Sequence, residues 1–144
     1  MTDLERGLGR RWFEQVWNQG RREAIAELLA PDGVLHDGGT DTTGPEGFYR
    51  FFDRIRDTFS EIHVDVKDTI AEGDKVCVRW SFAGKHTGGG LGVSPSGVMI
   101  HITGISILRV MDGKLVEGWQ NWDMLGMMEQ IQGLRKSATY ISAA

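Results

Sequence analysis

Two apolar strands joined by an Asp-Gly turn constrain this chain more than any other feature. The first runs Met99-Ile100-His101-Ile102-Thr103-Gly104-Ile105-Ser106-Ile107-Leu108-Arg109-Val110. After Met111-Asp112-Gly113-Lys114 the chain returns as Leu115-Val116-Glu117-Gly118-Trp119-Gln120-Asn121-Trp122-Asp123. Asp-Gly between two such runs is a hairpin signal, and the turn type decides which side chains meet. A two-residue type I′ turn pairs Val110 with Leu115. A type I turn with Gly113 in the left-handed region and a G1 bulge pairs Val110 with Lys114 instead. The bulged form is the expectation here, and it sets His101 opposite Asp123, Thr103 opposite Asn121 and Ile107 opposite Glu117. The other face then carries Ile102, Gly104, Ser106, Gly118, Gln120 and Trp122. Small residues beside one large aromatic suit the wall of a pocket.

The rest of the chain divides between helices and strands. Thr2 with Glu5 makes a capping box, Leu4, Leu8, Trp12 and Val16 recur at helical spacing, and Asn18-Gln19-Gly20 ends the helix. A second helix is expected from Arg21 to Leu29, a short strand at Val34-Leu35-His36, and a polar loop from Asp37 to Gly44. Pro45 opens a third helix at its first turn, with Phe48, Phe51, Phe52, Ile55 and Phe59 on one apolar stripe. Ile62, Val64 and Val66, then Val76, Val78, Trp80 and Phe82, alternate with polar residues as strands do, around a Glu72-Gly73-Asp74 turn. Gly84 to Gly97 holds six glycines and reads as a long irregular connection, a kind of loop that is often functional. Met124 to Gln132 is expected as a terminal helix capped by Asp123, with a fraying tail beyond.

Three helices followed by a curved antiparallel sheet of four longer strands and a short early one is an α+β plan. A strongly bent sheet around a long helix leaves a cone open at one end. The 144 residues fit a single domain, 1–144, with enough chain to bury a core. A net charge of −4 gives no reason to expect nucleic acid, and no basic block suggests a membrane surface. No apolar run approaches the ~20 residues that span a bilayer, and the N-terminus lacks the apolar core of a signal peptide. Cys77 stands alone, which excludes an internal disulfide and fits the reducing cytoplasm. No spacing of His, Cys or carboxylates forms a metal site. Gly88-Gly89-Gly90 lacks the flanking strand and helix of a phosphate loop.

With these elements in this order, several motifs resemble one family. They are Val16-Trp17-Asn18-Gln19-Gly20, Leu35-His36-Asp37, Thr43-Gly44-Pro45-Glu46-Gly47, Gly84-Lys85-His86-Thr87-Gly88 and the run from Gly113 to Asp123. Together, over roughly Leu8 to Gln132, they resemble the SnoaL-like polyketide cyclase (ester cyclase) family of the NTF2-like superfamily. The resemblance implies an NTF2-like cone with an acid/base pair in its pocket, moving a proton at a carbon next to a carbonyl without metal or organic cofactor. It also implies a specific pair, an Asp on the last strand assisted by a His on the strand before it. Those positions fall on Gln120 and Ser106 here, and neither accepts a proton at neutral pH.

The remaining ionisable candidates are Asp123, His36 and His101. Asp123 is either a helix cap or a pocket acid, and His36 either a satisfied structural histidine or a base. His101 either joins Asp123 across the hairpin or faces outward. His86, in the glycine-rich loop, is read as solvated or bonded to loop backbone. Ser106, Gln120, Trp122, Phe48 and Phe52 are the candidate substrate-binding residues, with Trp122 as a stacking wall. Trp12 and Trp17 read as core, and Met124, Met127 and Met128 as an adaptable cover for the cone mouth. Two functions stay open. One is a cofactor-independent cyclase, isomerase or hydrolase acting on a hydrophobic, polyketide-like carbonyl compound; the other is a binding protein for a lipophilic metabolite. A homodimer is expected through the outer sheet face, where Trp80 or Trp119 would form an apolar patch.

Overall fold

The computed structural model describes residues 1–134; the expected fraying tail lies mostly outside them. Its capping box forms as the sequence dictates, Glu5 N–H donating to Thr2 Oγ1 at 3.1 Å and Thr2 N–H to Glu5 Oε2 at 3.2 Å. The single expected helix is instead broken into α1 (Asp3–Arg6), α2 (Leu8–Trp12) and a π-helical stretch, Phe13–Asn18. Gly7 separates the first two, consistent with glycine's weak helix propensity. Asn18 does more than end this region. Its side chain donates to Val64 O at 2.9 Å and accepts from Val64 N–H at 2.6 Å, acting as a strand partner. Next come α3 (Arg22–Leu28) and, opened by Pro45, α4 (Gly44–Thr58).

Six strands form one sheet: β1 (Leu29–Asp37), β2 (Thr40–Thr43), β3 (Phe59–Glu72), β4 (Lys75–His86), β5 (Met99–Met111) and β6 (Lys114–Trp122). Their order is β2-β1-β6-β5-β4-β3. Helix α5 (Met124–Ile131) closes the described chain. The inner face of the sheet packs on α4 and the N-terminal helices. Phe48, Phe52 and Ile55 meet Trp12, Trp17, Val78 and Trp80 in one buried cluster. This is the α+β plan expected of the sequence, helices packed on a curved sheet.

Three local expectations need correction. The polar stretch after Asp37 is not a loop; Gly38 and Gly39, both at positive φ, turn the chain into β2. An edge strand faces little core, so its sequence carries no apolar alternation, and the Gly-Gly turn was its only signal. Second, the sheet is mixed, because β1 runs parallel to β6. Third, the Asp112-Gly113 turn has both residues at positive φ, 52° and 77°, and Met111 pairs with Lys114. That is the two-residue turn, without a G1 bulge.

The irregularity lies further along β6. Val110 pairs with Leu115 but Arg109 with Glu117, so one extra residue is accommodated there. Turn and bulge together shift the pairing two residues from the expected register: Ile107 meets Trp119, and Ser106 meets Gln120. Since side chains alternate with period two, a two-residue shift changes every partner and leaves every face unchanged. His101 therefore does not face Asp123. Its backbone N–H and C=O are instead satisfied by the buried Gln130 side chain of α5, at 2.8 and 2.9 Å.

Candidate active site

The inner residues of four neighbouring strands line up in a polar row across an otherwise apolar face. Ser106 on β5 pairs with Gln120 on β6, and Gln120 with Asp37 on β1. Trp80 on β4 joins them through its indole, with Nε1–H donating to Ser106 Oγ at 3.0 Å. Ser106 donates to Gln120 Oε1 at 3.2 Å, and the Gln120 amide donates to Asp37 Oδ2 at 3.2 Å. Trp122 Nε1–H adds a second donor, 3.0 Å from Asp37 Oδ1. Every link runs toward the carboxylate. Gly104 makes the first link possible: the Trp80 ring lies against its α-carbon, where any side chain would collide.

Two cavities meet at this row. A cleft of about 560 Å³ is bordered by β1, the β1–β2 turn, α4 and β6, with Trp17, Phe48, Phe51, Asp37, Gln120 and Trp122 in its walls. A deeper void of about 40 Å³ reaches Trp80, Phe82 and Ile102 and shares Trp17, Phe51, Gln120 and Trp122 with the cleft. Burial pushes the Asp37 carboxyl above the ordinary carboxylate range, opposed by the hydrogen bonds from Trp122 and Gln120. A half-buried carboxylate so placed can take and return a proton within a cavity. Asp37 opens the polar stretch that reads as a loop, so polarity alone does not mark it as a pocket residue. The signal was present in Leu35-His36-Asp37, since a strand extended one residue further puts Asp37 on the inner face with Leu35.

The other ionisable candidates are placed differently. His36 borders the cleft mouth, but its ring is fully committed: Nδ1 lies 2.7 Å from Asp41 and Nε2 2.9 Å from Glu117. It stacks on Trp119 at 5.6 Å between ring centroids. The bond to Glu117, then that to Asp41, raises the His36 pKa, while His36, ahead of Arg109, lowers that of Glu117. Asp123 caps α5 by accepting from Gly126 N–H at 2.9 Å. His101 is exposed on the outer face of the sheet, away from the row. Among the phenylalanines, Phe48 lines the cleft, whereas Phe52 turns into the core against Trp17 and Phe51 takes the cavity-facing place.

His86 is no loop residue. It ends β4 fully buried, with Nδ1 3.1 Å from Ser96 N–H and 2.8 Å from Ser96 Oγ, and Nε2 has no partner among the described residues. Trp80 is likewise buried, which leaves Trp119, 36% exposed, as the tryptophan of the outer face. No group of three or more His, Cys, Asp or Glu among the described residues could hold a metal ion. No helix among them is long and apolar enough to cross a membrane.

Comparison with known proteins agrees with this architecture. The model of the SnoaL-like polyketide cyclase family matches residues 8–131. The aklanonic acid methyl ester cyclase DnrD of Streptomyces peucetius is 28% identical over 124 residues, covering 81% of this chain and 83% of DnrD. A SnoaL-like protein of Jannaschia sp. CCS1 superposes with a TM-score of 0.81 at 26% identity, over 89% of this chain and 91% of that one. IdmH of Streptomyces antibioticus gives 0.73 at 29% identity, over 83% and 93%.

Proposed function

Because this chain belongs to the SnoaL-like polyketide cyclase family, we propose that it is a cofactor-independent ring-closing enzyme acting on a hydrophobic, polyketide-like carbonyl compound, with Asp37 as its acid/base. One observation carries the reading: a carboxylate with a raised pKa stands on the cavity wall, held by Gln120 and Trp122. Gln120 occupies the position where the family resemblance implies an acid. Here the proton-accepting role moves to the adjacent strand, and Gln120 positions the group that took it over.

In the proposed reaction, Asp37 removes a proton from a carbon next to a carbonyl, and the electron pair moves onto the carbonyl oxygen. The Gln120 amide has a second N–H uncommitted among the described residues, and it donates to the developing enolate. The enolate carbon then attacks a second carbonyl of the same molecule, forming the ring bond. Asp37 then returns the proton it took to the resulting alkoxide, which regenerates the carboxylate. Trp17, Phe51 and Trp122 supply apolar walls for the ring system. Two copies of the chain are proposed to pair through the outer sheet face, where Ile105, Ile107 and Trp119 are exposed.

The test is turnover of aklanonic acid and its methyl ester by the wild type and by Asp37→Asn, followed by chromatography. Loss of a positioned acid/base should lower the rate by ~10²–10⁴ while the ligand Kd stays within about twofold. An Asp37→Asn variant as active as wild type would remove Asp37 from the chemistry. Tight binding by the wild type without conversion would favour the non-catalytic metabolite carrier, a reading that the absence of a proton acceptor at Gln120 and Ser106 supports.

A further inference from the structure

Helix α4 presents two arginines to the cleft, and no carboxylate among the described residues pairs with either. Arg50 and Arg54 both line the cavity, one helical turn apart on the same face and flanking Phe51. Neither guanidinium makes an ion pair or hydrogen bond among the described residues. The arginines around them are engaged: Arg56 donates to Trp17 O at 2.8 Å, and Arg22, from α3, pairs with Asp53 at 3.0 Å and covers the Tyr49 ring. Two like charges at this spacing repel each other along the helix. The carboxylates that share the cleft are engaged elsewhere, Asp41 with His36 and Asp37 with Gln120 and Trp122.

We propose that Arg50 and Arg54 form a clamp at the cleft mouth that takes a carboxylate carried by the substrate. The proposal rests on the ring-closing function above and names its substrate class: a polycyclic or aromatic carbonyl compound with a free acid group. The apolar body lies on Phe51, Trp17 and Trp122, and the acid points to α4. The reacting carbon is thereby presented to Asp37 on the opposite wall. Guanidinium groups match a carboxylate in bidentate geometry. A monoanion is favoured over a phosphate dianion because Asp37 and Asp41 share the cleft and would repel the larger charge.

Isothermal titration of the full chain with anthraquinone-2-carboxylate, its methyl ester and 1-naphthyl phosphate tests the clamp without turnover. The wild type should bind the carboxylate about tenfold more tightly than the ester, and more tightly than the phosphate, with the advantage over the ester shrinking as salt rises. The Arg50→Gln, Arg54→Gln double variant should lose that advantage and keep its ester affinity. Both positions are exposed, so an unchanged melting temperature verifies the fold. Asp37→Asn should retain the carboxylate preference even as it loses turnover, which separates failure of the clamp from failure of the acid/base assignment. Equal wild-type affinity for acid and ester, no binding of either, or a preference surviving the double substitution would overturn the clamp; tighter phosphate binding would overturn its assignment to a carboxylate.

Discussion

A carboxylate that gains a raised pKa on folding lowers stability where it is ionised, and Asp37 is such a group. In the pH range between its unfolded and folded pKa values the native state holds more protons than the unfolded chain, so stability falls as pH rises through that window. Asp37→Asn should therefore melt higher than wild type at pH 7 and no higher below the window, read by calorimetry at both pH values. The outer-face cluster runs the other way. His36, raised, contributes stability that is full below the unfolded histidine value and lost as pH rises through its folded value. Glu117, lowered, contributes above its unfolded value and loses that contribution as pH falls through the folded one. Within the row, Gln120→Ala removes a hydrogen bond that favours ionised Asp37. The acid limb of the pH–rate profile should then move to higher pH, because the ionised form of Asp37 loses a donor. A purely structural Gln120 would lower activity without moving the limb.

The β5–β6 hairpin shows how much an element reveals in sequence and where it stops. The alternation of apolar and polar residues assigned the inner face correctly, because period-two burial is written into Ile100, Ile102, Ser106 and Leu108. The turn type is where it stops: both turns use Asp-Gly, and the extra residue, Val116, sits further along β6, where β1 pairs on its other side with its own register shift between Leu29 and Val34. That parallel contact joins residues more than eighty positions apart, and it also places Asp37 beside Gln120. No local pattern carries such a pairing, so Ser106 and Gln120 were legible as pocket residues while the carboxylate they serve was not. Asp123 illustrates the converse, a cap readable from its position before an apolar helix. At this scale Gly104→Ala should destabilise by about 1–3 kcal/mol, because its Cβ meets the Trp80 ring. It should also weaken turnover by displacing the first donor of the row, measured by urea unfolding alongside the rate.

On the scale of the whole molecule, the two faces of the sheet divide the labour. The inner face holds the core and the cleft; the outer face carries Ile105 (49% exposed), Ile107 (39%) and Trp119 (36%) on adjacent strands. Such residues scattered singly would need no explanation, but Ile107 and Trp119 are direct cross-strand partners and Ile105 lies on the same side. Among the described residues the helices lie on the opposite side, so a second copy is the simplest cover, by a two-fold interface in which the same patch meets itself. The Asp41–His36–Glu117–Arg109 cluster flanks the patch, with Trp119 stacked on His36, so it would form a polar border to the interface. Burying His36 between its two carboxylates would strengthen those ion pairs, making association tighter at mildly acidic pH than at high pH. Ile107→Lys places a charge at the centre of the patch, facing its own symmetry mate or close to it. Sedimentation velocity at micromolar concentration should show a dimer for the wild type and a monomer for Ile107→Lys, with the cleft and its ligand affinity retained. A wild type that sediments as a monomer at that concentration would leave the outer face without this partner.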